Sequence, residues 1–363
     1  MSTVANQFEP DYAIPPGEIL EETLATRGMK KAEFAERCGR SEKMVSQIIS
    51  GQAPITAETA IQFERVLGVN ASVWNNLEAN YRLAVAKSEQ QKALLAQKDW
   101  AKRFPINKMV KLGFIPKPES PTDRVEKLLD FFGVGSAAAW EERCARVCIA
   151  YRKSPSYKSA PESVAAWLRM GELHAEDIDC AAYNRERFIE ALSSIRGLTR
   201  QPPDVFVPEM QSLCADAGVA VALVPELPKT HLSGAARWLT KDKALIMFSL
   251  RHKSDDHLWF TFFHEAGHIL LHGKKDVFID EEEIEDNDKE QEADRFARNT
   301  LIPLKEYRVF QQLGRWSTAT IATFAEQLGI APGIVVGRLQ HDGLIPYSHY
   351  NKLKTRFVWK DNS

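Results

Sequence analysis

Residues 256–272 read DHLWFTFFHEAGHILLH. Trp259, Phe260, Phe262 and Phe263 precede the polar cluster, and at 3.6 residues per turn they leave a helix apolar on most sides. Such a helix is expected to be buried, and two imidazoles and a carboxylate buried on it need partners. His264 and His268 are four residues apart, so their rings lie one turn apart on one face and can converge on one ion. Glu265 stands beside them, placed to take a proton from a coordinated water. Zinc suits this nitrogen and oxygen donor set and lowers the pKa of a coordinated water to about 7.

A catalytic zinc takes a third protein ligand and keeps one position open. His272 continues the histidine stripe but lies eight residues from His264, about 12 Å along the axis. All three rings cannot reach one ion at bonds of about 2.1 Å, so His272 is expected to act beside the ligands. The third ligand is expected from the next helix, 289–303, KEQEADRFARNTLIP. Ala293, Ala297 and Leu301 mark its inward face, and the alanines permit close approach to the first helix. Glu290 lies on that face. Glu292 points away from it and is the alternative ligand. Asp294, four after Glu290, is expected to accept the outer ring N–H of a ligand histidine.

Upstream, 219–224, 235–239 and 244–250 are β-rich apolar runs with a turn at Lys241-Asp242. An edge strand from 235–250 would align an extended substrate by backbone pairing. His231, Arg237 and Arg251 are candidate donors to a developing oxyanion. Between the two helices lies an acidic stretch with Asp276, Asp280, Glu281, Glu282, Glu283, Glu285, Asp286 and Asp288. It reads as a solvated loop, or as a rim attracting a basic substrate.

From Gly17 to about Lys98 the pattern is helical. Lys31 to Cys38, then Gly39, then Ser41 to Ser50 reads as helix, tight turn, helix. Ala35 is small where the helices cross, Ser41 is the expected N-cap, and Val45, Ile48 and Ile49 anchor the second helix. Arg40, Ser41, Lys43, Gln47 and Gln52 are the candidate DNA-contacting residues. Residues 322–340, ATFAEQLGIAPGIVVGRLQ, echo 32–50, AEFAERCGRSEKMVSQIIS, at an offset of 290 positions. Pro332, Gly333 and Val336 leave the second copy little with which to read bases, so it is expected to pack against the zinc domain or to mimic a substrate's fold. Residues 99–205 read as a helical spacer or dimerisation layer without evident chemistry.

The 363 residues, 44% hydrophobic and 26% charged, fit two or three globular domains. A formal charge of −2 excludes nucleic-acid binding by bulk charge, so DNA contact must be local. The five cysteines, at 38, 144, 148, 180 and 214, form no CxxC pair and read as reduced thiols. The N-terminus lacks a signal peptide, and no run approaches the roughly 20 apolar residues of a membrane span. A cytoplasmic protein is expected.

HEAGHILLH at 264–272, EQEADRFA at 290–297 and LIP at 301–303 resemble the ImmA/IrrE family of metallopeptidases, as do LSGAARWL at 232–239 and KALIMFSLR at 243–251. The likeness covers roughly 208–345. Pro16 to about Tyr81 resembles HigA-type antitoxins of the Xre/Cro-like repressor class. The resemblances imply a mainly α chain: a lambda-repressor-like helix-turn-helix domain (1–98), a helical middle region (99–205) and a zincin-like α+β domain with a small sheet (206–363). They imply one zinc ion per chain and a regulator that binds operator DNA as a homodimer, pairs with a cognate toxin and cleaves a repressor or antitoxin. A non-enzymatic antitoxin whose zinc domain only binds a partner is the alternative.

Overall fold

The computed structural model describes residues 14–143, 160–273, 277–279 and 288–359. Cys144 and Cys148, and the acidic residues of the 276–288 stretch other than Asp288, lie outside them. Contacts divide the chain into two compact units, Met1–Lys98 and Asp99–Ser363.

The first unit contains α1 (Pro16–Thr26), α2 (Lys31–Arg37), α3 (Glu42–Ile49), α4 (Ala57–Leu67) and α5 (Ala71–Ala96). Leu20, Leu24, Phe34, Val45, Ile48, Phe63 and Trp74 form its core. Phe34 and Phe63 meet at a tilt with ring centroids 4.9 Å apart, and Trp74 meets Phe63 edge-on at 5.6 Å. Gly39 adopts φ +64°, which closes the α2–α3 turn at no steric cost. Gly17 serves close approach instead: a Cβ there would sit 2.4 Å from the carbonyl oxygens of Ile48 and Ile49. Cys38 is buried in this core, and burial pushes its thiol up to about 11, outside the reactive range.

The second unit is built on a four-stranded sheet of β1 (Val219–Leu223), β2 (Gly234–Trp238), β3 (Ala244–Phe248) and β4 (Val277–Ile279), in the order β1-β3-β2-β4. β1 pairs parallel with β3, and β2 pairs antiparallel with both β3 and β4. The strands expected at 235–239 and 244–250 are therefore both interior, and neither offers an edge to a substrate. β4, inside the acidic stretch, covers β2, a role its sequence did not announce.

Two layers of helices cover the sheet. On one face lies α9 (Asp255–Leu271), with Phe262 against Phe248 at 6.2 Å. On the other lies α6 (Pro161–Glu176), where Gly171 lets Met247 pack against the helix backbone. Arg237 pairs with Glu172 of α6, and Lys243 donates to the carbonyls of Ala175 and Ile178 at 2.6 Å. Helix α6 belongs to the stretch expected to be a spacer. It closes the sheet instead, because a sheet buried on both faces requires a second layer. Helices α7 (Arg185–Gly197) and α8 (Pro203–Asp216) join the core on the α9 side, where Phe206 meets Trp259 at 4.9 Å.

Helix α10 (Asp288–Leu301) packs along α9. A Cβ on Gly267 would come within 3.1 Å of Ala293 Cα, so the Gly267–Ala293 contact sets this close approach. After α11 (Leu304–Gln311) come α12 (Thr318–Leu328) and α13 (Pro332–His341), the pair that echoes α2 and α3. Ile334, Val335, Val336 and Leu339 are buried, and Gly333 and Gly337 lie against the carboxylates of Asp255 and Asp256. The second copy thus packs on α9 and offers no base-reading face. Among the described residues no single helix is long and apolar enough to cross a membrane, and α12 and α13 meet at 113°.

Candidate functional site

His264, His268 and Glu290 converge where α9 and α10 meet. The Nε2 atoms of the histidines lie 3.0 Å apart, and Glu290 Oε2 lies 3.1 Å from the first and 3.4 Å from the second. Ligands at about 2.1 Å around a tetrahedral ion are separated by about 3.4 Å. The three donor atoms thus describe one face of such a coordination shell, and the residues present fit zinc.

Each imidazole is held at its outer nitrogen. His264 Nδ1 lies 2.9 Å from Asp294 Oδ1, so its N–H donates to that carboxylate and leaves Nε2 as the lone-pair donor. His268 Nδ1 lies 3.0 Å from His272 Nδ1, and His272 Nε2 lies 3.2 Å from Glu292 Oε2. An N–H on His268 Nδ1 then donates to the His272 Nδ1 lone pair, and the Nε2–H of His272 donates to Glu292. Glu292 is turned toward His272 and not toward the triad. His272 reaches His268 although helical spacing keeps it from the shared point, because the backbone leaves the helix there and becomes extended.

Burial would raise the Glu290 carboxyl, but hydrogen bonds and charge from His264 and His268 outweigh it and hold it at about 2. Burial lowers His268, against the opposing pull of Glu290, and so favours the neutral ring that binds metal.

Glu265 is fully buried and packs against Thr261 and Gly234, the first residue of β2. A glycine inside a strand pattern marks close approach of another group, a signal present in the sequence and not read there. Beside the triad lies a cavity of about 630 Å³, lined by His264, Glu290 and Thr261 and, farther off, by Arg298, Arg338 and His341. None of the oxyanion candidates named from the sequence lines it. Arg237 is engaged by Glu172, Arg251 donates to the carbonyl of His231, and His231 itself is exposed. The sequence also did not reveal the buried ion pair between Asp256 on α9 and Lys354, 2.6 Å long, whose ammonium also donates to Gln340 Oε1 at 2.7 Å.

In the first unit, Ser41 caps α3 by accepting from Met44 N at 3.2 Å. Lys43 and Gln52 are exposed and Gln47 is half-buried. Arg40 turns toward α4, with Nε 2.6 Å from Gln62 Oε1 and Nη2 3.0 Å from Glu58 Oε1. This side chain braces the helix pair through those contacts.

Comparison with known proteins is consistent with both units. Residues 227–340 match the IrrE N-terminal-like domain, and residues 20–74 match a helix-turn-helix domain. The virulence-associated protein I of Dichelobacter nodosus is 36% identical over 80 residues, 22% of this chain and 74% of that protein. The uncharacterized HTH-type transcriptional regulator YddM of Escherichia coli K12 is 32% identical over 72 residues, 20% of this chain and 77% of that protein. Among solved structures, antitoxin HigA of Pseudomonas aeruginosa, determined with the higBA promoter, is 34% identical, covering 23% of this chain and 90% of that one at a TM-score of 0.22. An addiction-module antidote protein of a HigA family from Coxiella burnetii is 30% identical, with the same coverages and TM-score. The chain thus carries an IrrE N-terminal-like domain over residues 227–340 behind an N-terminal helix-turn-helix domain over residues 20–74.

Proposed function

We propose that this protein is a transcriptional regulator that binds operator DNA through α3 and that its second unit is a zinc-dependent endopeptidase acting on a repressor or antitoxin protein. The mutual 3.0–3.4 Å spacing of three donor atoms on two helices carries the enzymatic half. A bound zinc supplies Lewis acidity and acidifies a water at neutral pH. The protein's own residues do the rest. His264, His268 and Glu290 hold the ion, and Asp294 and His272 fix the tautomers of the two rings. Glu265 takes the proton of the attacking water and returns it to the leaving amine. The cavity accepts the substrate next to these groups.

The relative described as an HTH-type transcriptional regulator supports the DNA-binding half. On this reading the protein acts as a cytoplasmic homodimer, with a cognate toxin as a further partner.

A second reading, a repressor whose zinc domain only binds a partner, is favoured by one observation: Glu265 has no exposed surface. Replacement Glu265→Gln separates the two. The proposal expects cleavage of proteins encoded beside the gene to fall at least a hundredfold, with zinc content and operator binding retained. Equal cleavage by both forms, or none by the zinc-loaded wild type, overturns it.

A further inference from the structure

The cavity beside the triad is not neutral in its chemistry. Three permanent or near-permanent cations line it, Arg298, Arg338 and Lys354, together with three carboxylates, Asp256, Glu290 and Asp294. These groups are unequally engaged. Lys354 is held by Asp256 and by Gln340. Arg338 gives its Nε to Asp342 at 2.8 Å, and its guanidinium lies over the Tyr307 ring at 4.6 Å. Glu290 faces the two ligand histidines, and one oxygen of Asp294 is taken by His264.

Arg298 is different. Its Nε donates to the Asp294 carbonyl one turn back at 3.2 Å, and Nη1 lies 3.4 Å from His341 Nε2. Among the described residues its carboxylate partner is Asp294, whose Oδ2 lies 3.9 Å from Nη2, too far for a hydrogen bond. A guanidinium carries five N–H donors in a fixed fork and stays charged at any physiological pH. Of the three cations on this cavity, Arg298 is the least compensated, and its fork is the geometry that takes a carboxylate in two parallel hydrogen bonds.

Its place along the helix matters as much. Arg298 lies eight residues past Glu290 on α10, about 12 Å along the axis. An arginine side chain and a glutamyl side chain together bridge such a gap when the residue carrying the glutamate sits at the triad. An apolar side chain in the same place would take water from the guanidinium without adding an acceptor to its fork, and a basic one would be repelled.

We propose that this cavity is a substrate side-chain subsite for a carboxylate, read by Arg298, so that the peptide bond presented to the triad is flanked by a glutamate. The inference rests on the peptidase reading and narrows its substrate class.

The test uses full-length zinc-loaded protein and three probes, the N-acetyl hydroxamates of glutamate, glutamine and leucine, with affinities measured by calorimetry. The hydroxamate anchors each probe at the metal and only the side chain varies. The glutamyl probe should bind about tenfold tighter than the glutaminyl one. Arg298→Gln should erase that difference and Arg298→Glu should reverse it. Equal affinities in the wild type, or tightest binding of the leucyl probe, overturn the subsite, a result that needs no variant to fold. Zinc and glutamyl-probe binding without cleavage of any protein overturns the peptidase reading while leaving a pocket for an acidic side chain of a bound partner. Cleavage without glutamyl preference does the opposite, and failure of all three probes to bind overturns both.

Discussion

A Cβ on Gly234 would stand 2.4 Å from Oε1 of Glu265, so the absence of a side chain at the start of β2 is what gives the Glu265 carboxylate its place. The same Cβ would also stand 2.6 Å from Thr261 Cγ2 and 2.9 Å from Glu265 Cγ, so no room is left for it. Gly234→Ala should therefore push Glu265 out of position. The expected result is at least a tenfold loss of peptidase turnover and about 1–3 kcal/mol of stability, with zinc retained. Turnover, elemental analysis and a denaturant melt read the three separately. Normal turnover in the variant would show that Glu265 does not depend on this gap.

The Asp294–His264 contact predicts metal affinity. Asp294→Asn replaces a charged acceptor with a neutral one, and Asp294→Ala removes it. Zinc affinity should fall about 10- to 100-fold for the alanine variant and less for asparagine. His272→Ala should weaken binding through His268 in the same way. Competition with a chromophoric chelator measures both, and unchanged affinity in Asp294→Ala would remove this residue from the metal centre.

Asp255 sets a pH dependence. Burial raises its carboxyl to about 6, opposed by backbone hydrogen bonds and reinforced by the neighbouring charge of Asp256. The folded state thus holds a proton that the unfolded state has lost between about pH 4 and 6. Stability contributed by the protonated form is complete below about pH 4 and declines as pH rises through 6. Asp255→Asn keeps an acceptor for the Asp256 N–H, which lies 2.9 Å from Oδ1, and should flatten that decline. The gain at pH 7 should be on the order of 2 kcal/mol. Urea melts at pH 4.5 and 7 test this, and identical slopes in wild type and variant would contradict it.

The helix-turn-helix unit predicts two kinds of loss. Lys43→Ala removes an exposed cation and should weaken operator binding uniformly across sequences, with a shallower salt dependence. Gln47→Ala should cost about 1–3 kcal/mol and relax preference at one base position. Arg40→Ala should act through stability, since its side chain is held by Gln62 and Glu58. Fluorescence anisotropy on operator and scrambled duplexes at two salt concentrations distinguishes these outcomes.

The ligand geometry was the most legible part of the chain. Two histidines four apart lie on one face of any α-helix, whatever surrounds it, and the alanine stripe of 288–301 oriented Glu290 toward them and Glu292 away. Local periodicity carries such information because it fixes directions within one helix. The runs at 219–224, 235–239 and 244–250 marked three strands, which the structure places at 219–223, 234–238 and 244–248, because short continuous apolar runs bounded by turn residues suit buried strands. β4 was not, because three residues in a charged stretch give no period to read.

By itself, then, the sequence determined which side chains share a face: His264 with His268, Glu290 with Asp294, Val45 with Ile48. Tertiary structure alone decided what each face meets. It placed Gly234 over Glu265, closed the sheet with Pro161–Glu176, joined Asp256 to Lys354 across 98 positions and gathered Arg298, Arg338 and His341 onto one cavity wall. Those pairings depend on how separate elements pack, and no repeat in the chain encodes a distance between two elements.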